Sequence, residues 1–134
     1  MADTYRAPVV VTFSPQPSVA YFLKGVLDCA GFAVVASSSN IDELDAAIQR
    51  TQPDAIVYDV SFPFVESWNQ LQELRTRATA HDIPVVITTS EARELQRRIG
   101  VTAAVEIFRR PDDIAELRRT MQHAIEAATP VQAA

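Results

Sequence analysis

A chain of 134 residues, 48% hydrophobic and 22% charged, can bury one hydrophobic core and little more, which excludes a multidomain regulator and a disordered polymer alike. Its three glycines, Gly25, Gly31 and Gly100, are too dispersed for a dinucleotide fingerprint or a Walker loop, and its lone cysteine, Cys29, allows neither an internal disulfide nor a thiolate zinc site. The net charge of −5, from 12 Lys plus Arg against 17 Asp plus Glu, weighs against direct nucleic-acid binding.

Residues 8–13, Pro-Val-Val-Val-Thr-Phe, are a β-branched run without helical periodicity, the pattern of a strand buried on both faces. Ser14-Pro15-Gln16-Pro17 ends it, and Ser18 is placed to cap a helix whose apolar face is Val19, Phe22, Leu23, Val26, Leu27 and Ala30, with Gly31 as its stop. A second strand is predicted over 32–36, followed by a polar Ser37-Ser38-Ser39 and by Asn40 capping a helix with Ile41, Leu44 and Ile48 inside. Pro53-Asp54 opens a third strand over 55–60 that carries one charge, Asp59, near its end. After a loop over 61–66, Ser67 is expected to cap a helix with Trp68, Leu71 and Leu74 buried, and a fourth strand follows over 84–89. A short helix over 91–99 stops at Gly100, and a fifth strand is predicted over 103–108. Pro111, then Asp112 and Asp113 in a first turn and Arg118 and Arg119 farther along, suit the dipole of a last helix that buries Ile114, Leu117, Met121 and Ile125. The expected organisation is an N-terminal extension over 1–7, one domain over 8–127 and a flexible tail over 128–134.

Strict alternation of buried strands with helices calls for an α/β fold, a parallel sheet covered on both faces by right-handed crossovers. In such folds chemistry sits beyond the carboxyl ends of the strands, where the strand order reverses. The residues there are Ser14 and Pro15, Ser37 and Ser38, Asp59, Thr88 and Thr89, and Arg109 and Arg110.

Three of these segments resemble the receiver domain of two-component response regulators, of the chemotaxis-regulator kind, over residues 8–127. Pro53-Asp54-Ala55-Ile56-Val57-Tyr58-Asp59-Val60-Ser61-Phe62-Pro63 is similar to the strand that ends in the phospho-accepting aspartate, which falls on Asp59. Ile83-Pro84-Val85-Val86-Ile87-Thr88-Thr89-Ser90 resembles the fourth strand, with Thr89 on the hydroxyl that senses the phosphoryl group, and Arg110-Pro111 stands where receivers have lysine and proline. The resemblance implies a three-layer, flavodoxin-like (βα)5 fold with strand order 2-1-3-4-5. It also shows departures. The two acids that receivers place after the first strand fall on Ser14 and Pro15, Ile107 takes the place of the switch aromatic, and Phe64 replaces a common glycine.

Magnesium favours charged oxygen ligands in a strict octahedron, and phosphoryl transfer needs cations on the equatorial oxygens. The departures therefore imply an atypical receiver without a cofactor, in which magnesium binding and phosphorylation at Asp59 are weak or absent and an ion pair from Arg110 stands in for the metal. A conventional acceptor at Asp59, with Glu66 completing a metal site, is the alternative. A second alternative is a flavin or other small-molecule module on the same fold, with Thr12, Ser14 and Ser18 facing a phosphate, although Pro15 and Pro17 remove backbone donors that such a loop needs.

The remaining residues are read more plainly. His81 and His123 lack ligand partners and are expected at the surface, and Cys29 is expected to be buried packing. Phe62, Phe64 and Trp68 crowd one loop, where they either line a small-molecule mouth or fill a gap. Nine of the 12 cations are arginines after Ser67. Arg93, Arg97, Arg98, Arg109, Arg118 and Arg119 mark the expected partner face, made by the fourth helix, fifth strand and last helix, for a sensor kinase, another protein or a second copy in a homodimer. No nucleophile and base or paired carboxylates can be assembled, so an enzyme is not expected. No apolar run is long enough to span a bilayer and no leader pattern opens the chain, so a cytoplasmic protein without a membrane partner is expected, its output supplied by another protein or by a longer parent chain.

Overall fold

A computed structural model describes residues 7–37, 40–61, 63–80, 83–89, 97, 107–109 and 114–128. The elements are β1 (Val9–Phe13), α1 (Pro17–Cys29), β2 (Ala33–Ser37), α2 (Ile41–Thr51), β3 (Ala55–Val60), α3 (Phe64–Ala80), β4 (Val85–Thr89), β5 (Ile107–Arg109) and, as α4 here, Ile114–Ala128. The strands form one parallel sheet in the order β2-β1-β3-β4-β5, so β1 and β3 flank the point where the order reverses. None of the described helices is long and apolar enough to cross a membrane.

Alternation along the strands divides the core in two. Val11, Phe13, Ile56, Tyr58, Val60 and Ile87 pack with Leu44, Ala47 and Ile48 of α2 and Leu71 and Leu74 of α3. Val10, Ala55, Val57 and Val86 turn to the other face, under Val19, Leu23 and Leu27 of α1 and Met121 of α4. Both faces are apolar, which is why these strands read as continuous hydrophobic runs rather than as alternating ones.

Local signals decide the helix ends. Asn40 Oδ1 accepts from the Glu43 amide at 2.9 Å, the expected cap of α2. Ser18 is not the cap of α1: Gln16 holds that position in extended backbone and Pro17 opens the helix, its fixed φ and missing N–H being suited to the first turn. Ser67 is likewise no cap. The Pro63 carbonyl accepts from the Ser67 amide at 3.0 Å, so α3 begins one turn earlier and Ser67 lies inside it. Phe22, assigned to the apolar face of α1, is 49% exposed, and Cys29 is exposed rather than buried. The helix predicted over 91–99 lies outside the described residues except for Arg97, which is helical, as do residues 103–106 of the fifth strand, Pro111, Asp112 and Asp113 at the start of the last helix, residues 1–6, and the tail from 129.

Gly31 takes φ +98°, beyond the C-cap Ala30, as the chain leaves α1 for β2. A Cβ there meets nothing within 4 Å, and the same holds for Gly25 inside α1, so backbone conformation alone separates the two sites. Gly31→Ala is expected to cost about 1 kcal/mol of stability. Gly25→Ala is expected to add roughly 0.5–1 kcal/mol. Urea unfolding of the two variants, read against the parent chain, checks both signs.

Candidate functional site

Asp59 is the penultimate residue of β3 and has no solvent exposure. It lies on the same face as Ala55 and Val57, the α1 and α4 side, because side chains alternate along the strand. Among the described residues, three hydroxyls donate to its carboxylate. Ser14, just past β1, donates to Oδ2 at 3.1 Å; Thr88 of β4 donates to Oδ1 at 2.9 Å; and Ser61, two residues on, donates to Oδ2 in a short contact. All three donors are buried, so the group is a charge held by polar partners drawn from the ends of β1, β3 and β4.

Two of the donors are fixed in turn. Ser14 Oγ accepts from the Gln16 amide at 3.1 Å, which shapes the entry to α1, and the Ser14 amide donates to the Ser37 carbonyl at the end of β2. The Ser61 amide donates to Ser67 Oγ at 3.3 Å, so the serine expected as a helix cap instead ties α3 to the loop after β3. Beside it, Tyr58 donates from its hydroxyl to the Ser67 carbonyl at 3.1 Å, and its ring meets Phe13 at a centroid distance of 4.9 Å. Burial, with a smaller contribution from the neighbouring Asp59 charge, pushes the Tyr58 phenol up to about 12.

Thr89, the threonine assigned to phosphoryl sensing, donates to the Val60 carbonyl at 2.9 Å. The hydroxyl on Asp59 is that of Thr88, which shares its register with the aspartate, whereas Thr89 pairs with Val60. Side-chain period and strand register together select Thr88; the period is readable in the sequence and the register is not.

The other expected site residues are placed less fully. Pro15 is half-buried beside Ser14. Ile107 pairs in register with Ile87, and Arg109 with Thr89. Arg110, with the ion pair expected of it, lies outside the described residues, as do Ser38, Phe62, His81, Arg93 and Arg98. Arg97, Arg118, Arg119 and His123 are exposed. Phe64 and Trp68 pack against the cluster under α2 and α3, which makes them part of the core. Among the described residues no three His, Cys, Asp or Glu side chains cluster at metal-binding distance.

No protein-family model matches the chain. A sensor protein from Polaromonas sp. JS666 superposes with a TM-score of 0.75 at 20% identity, covering 91% of this chain and 98% of that one. The receiver domain of the sensor histidine kinase PA1611 of Pseudomonas aeruginosa PAO1, which carries a magnesium ion in its active-site cleft, superposes with a TM-score of 0.71 at 20% identity, covering 90% and 99%. The chain has the receiver fold of response regulators. In sequence it is similar to the response regulator MprA of Mycobacterium sp. (strain KMS), at 26% identity over 109 residues, 81% of this chain and 46% of that protein. The chain thus spans about half the length of that curated relative.

Two measurements probe the site. Thr88→Val keeps the shape of the side chain while removing one donor to a buried carboxylate, and is expected to cost about 2 kcal/mol, twice or more the cost of Thr89→Val, in denaturant unfolding. The raised phenol gives the alkaline prediction. The folded state holds the Tyr58 proton longer than the unfolded state, so its contribution is complete below pH 10 and is lost as pH rises towards 12. The expected loss is about 2–3 kcal/mol, measured as unfolding free energy against pH, and Tyr58→Phe is expected to remove that dependence.

Proposed function

We propose that this receiver domain works as a signalling module in the cytoplasm, through protein contacts and without turnover of its own, and that magnesium-dependent phosphorylation of Asp59 is weak or absent. The observation that carries this reading is the hydroxyl cage. Magnesium is held by carboxylates and waters in a near-ideal octahedron at oxygen distances of about 2.0–2.1 Å. At this site the described residues hold no cluster of three or more carboxylate, imidazole or thiol groups, and both oxygens of Asp59 already accept hydrogen bonds from Ser14, Ser61 and Thr88. Ser14 and Pro15 stand where a receiver keeps its acidic pair. A neutral hydroxyl brings no charge to a hard dication and a proline ring brings no ligand, and the Ser14 oxygen is further engaged by the Gln16 amide.

The conventional reading keeps Asp59 as an acceptor. It is favoured by the position of that carboxylate, at the carboxyl end of β3 beside the reversal of strand order, which is where this fold places its chemistry. A flavin-type phosphate site is opposed by the turn after β1, where the Gln16 amide is already used and Pro17 has none to offer.

For protein contacts, the exposed Arg97, Arg118 and Arg119 support the arginine-bearing face as the docking surface for a kinase or another protein, a second copy included. The relation to MprA supports a place in two-component signalling.

Incubation with acetyl phosphate and magnesium, followed by intact mass, is expected to give little or no adduct. The double variant Ser14→Asp with Pro15→Asp is expected to bind magnesium more tightly, in titration, and to form more adduct. Ready phosphorylation of the parent chain at Asp59 replaces this reading with the conventional one.

A further inference from the structure

We infer that the free edge of β2 is the place where a second copy of this chain adds, antiparallel, to give one sheet running across a two-fold axis. This goes beyond the proposed function and does not require Asp59 to be phosphorylated or to bind a metal.

β2 is the last strand on its side of the sheet. Its pairing with β1 uses the peptide groups of alternate residues: the Ala33 amide donates to the Pro8 carbonyl and the Ser37 carbonyl accepts from the Ser14 amide. The ladder therefore turns the amides and carbonyls of Val34 and Ala36 outward. The strand, Ala-Val-Val-Ala-Ser, has no lysine, glutamate or proline of the kind that blunts an exposed edge.

The groove around that edge is self-complementary. Tyr21 of α1, 65% exposed, and the Glu43, Ala46 and Arg50 stripe of α2 border it, with Val35 and Ala36 at its floor. Glu43 and Arg50 are exposed and have no ion-pair partner among the described residues. They stand two helical turns apart, about 10 Å, with Ala46 between them. A two-fold axis through the groove sets Glu43 of each copy opposite Arg50 of the other, the reciprocal contact an isologous dimer requires. The same axis, passing Val35, lets Val34 of one copy and Ala36 of the other exchange hydrogen bonds.

Spacing agrees. α2 lies over β1 and β2, so two copies joined at β2 hold their α2 helices two strand spacings apart, about 10 Å. That is the separation of packed helices, and a small residue such as Ala46 permits it. β5 lies at the far edge of the sheet and stays open to another protein.

Sedimentation equilibrium of the full chain over a concentration series tests the inference. The expected result is a reversible dimer that E43R and R50E each weaken on the order of ten-fold or more, and that the double variant E43R/R50E recovers, because like charges across such a contact repel. Both side chains are exposed, and circular dichroism of each variant establishes that it is folded. Amide exchange at Val34 and Ala36 is expected to slow as concentration rises. A chain that stays monomeric, a dimer indifferent to both single variants, or a double variant that fails to recover overturns the inference. So does a dimer abolished by R118E/R119E alone, which moves the contact to the arginine face and leaves the proposed function standing.

Discussion

The carboxylate of Asp59 has to be solvated by the protein, since none of its surface reaches water. Taking such a charge out of water costs several kcal/mol, and hydrogen bonds to a charged group return roughly 1.5–3 kcal/mol each, so three hydroxyl donors supply compensation of the required order. The donors come from different segments. Ser14 fixes the end of β1, Thr88 the end of β4 and Ser61 the loop after β3, so one charge ties the carboxyl ends of the three central strands together. Through the Gln16 amide and Ser67 Oγ the same network reaches the first turns of α1 and α3. Two crossovers therefore start from positions that the buried aspartate sets.

Side-chain alternation makes this arrangement specific. Ala55, Val57 and Asp59 face α1 and α4, while Ile56, Tyr58 and Val60 face α2 and α3. A register shift of one residue in β3 would bring the Tyr58 ring to the hydroxyls and send the carboxylate into an apolar layer without donors. The penalty for that exchange far exceeds the cost of a surface error, so the polar network acts as a register pin within an otherwise uniform run of hydrophobic residues.

Burial on both faces of the sheet also decides how much of the fold is legible in the sequence. Strands buried on both faces are short apolar runs bounded by Pro, Ser, Asn and Asp, and β1, β2, β3 and β4 were legible for that reason. Asn40 was legible as a cap because the apolar stripe of α2 begins directly after it. Ser18 and Ser67 carry the same signal, but prolines one and four residues earlier take over the helix starts, and the spacing Phe64, Trp68, Leu71 was the cue that α3 begins before Ser67. Asp59 and Ser14 could be placed from strand ends and resemblance. Thr88 could not be preferred to Thr89, since the choice depends on which residue of β4 lies level with Asp59, a relation between strands 29 residues apart. Phe22 and Cys29 are exposed because an apolar residue on the flank of a helix is buried only if a neighbour covers it, and α1 is covered over a narrower stripe than its composition suggests.

An aspartate held by hydroxyls at the end of a central strand has a particular consequence for switching. A two-state domain moves only as far as a ligand discriminates between its states, and a phosphoryl group normally supplies that discrimination. If the cage keeps Asp59 occupied, the discrimination must come from a binding partner, and it must act on a surface connected to the cage. α1 and α3 are so connected, because their first turns are bonded to Ser14 and Ser61. β2 is connected as well, through the bond from the Ser14 amide to the Ser37 carbonyl. A contact along the β2 edge therefore bears on the same residue that holds the carboxylate, and association there and the state of Asp59 become linked equilibria in which each shifts the other by an equal factor.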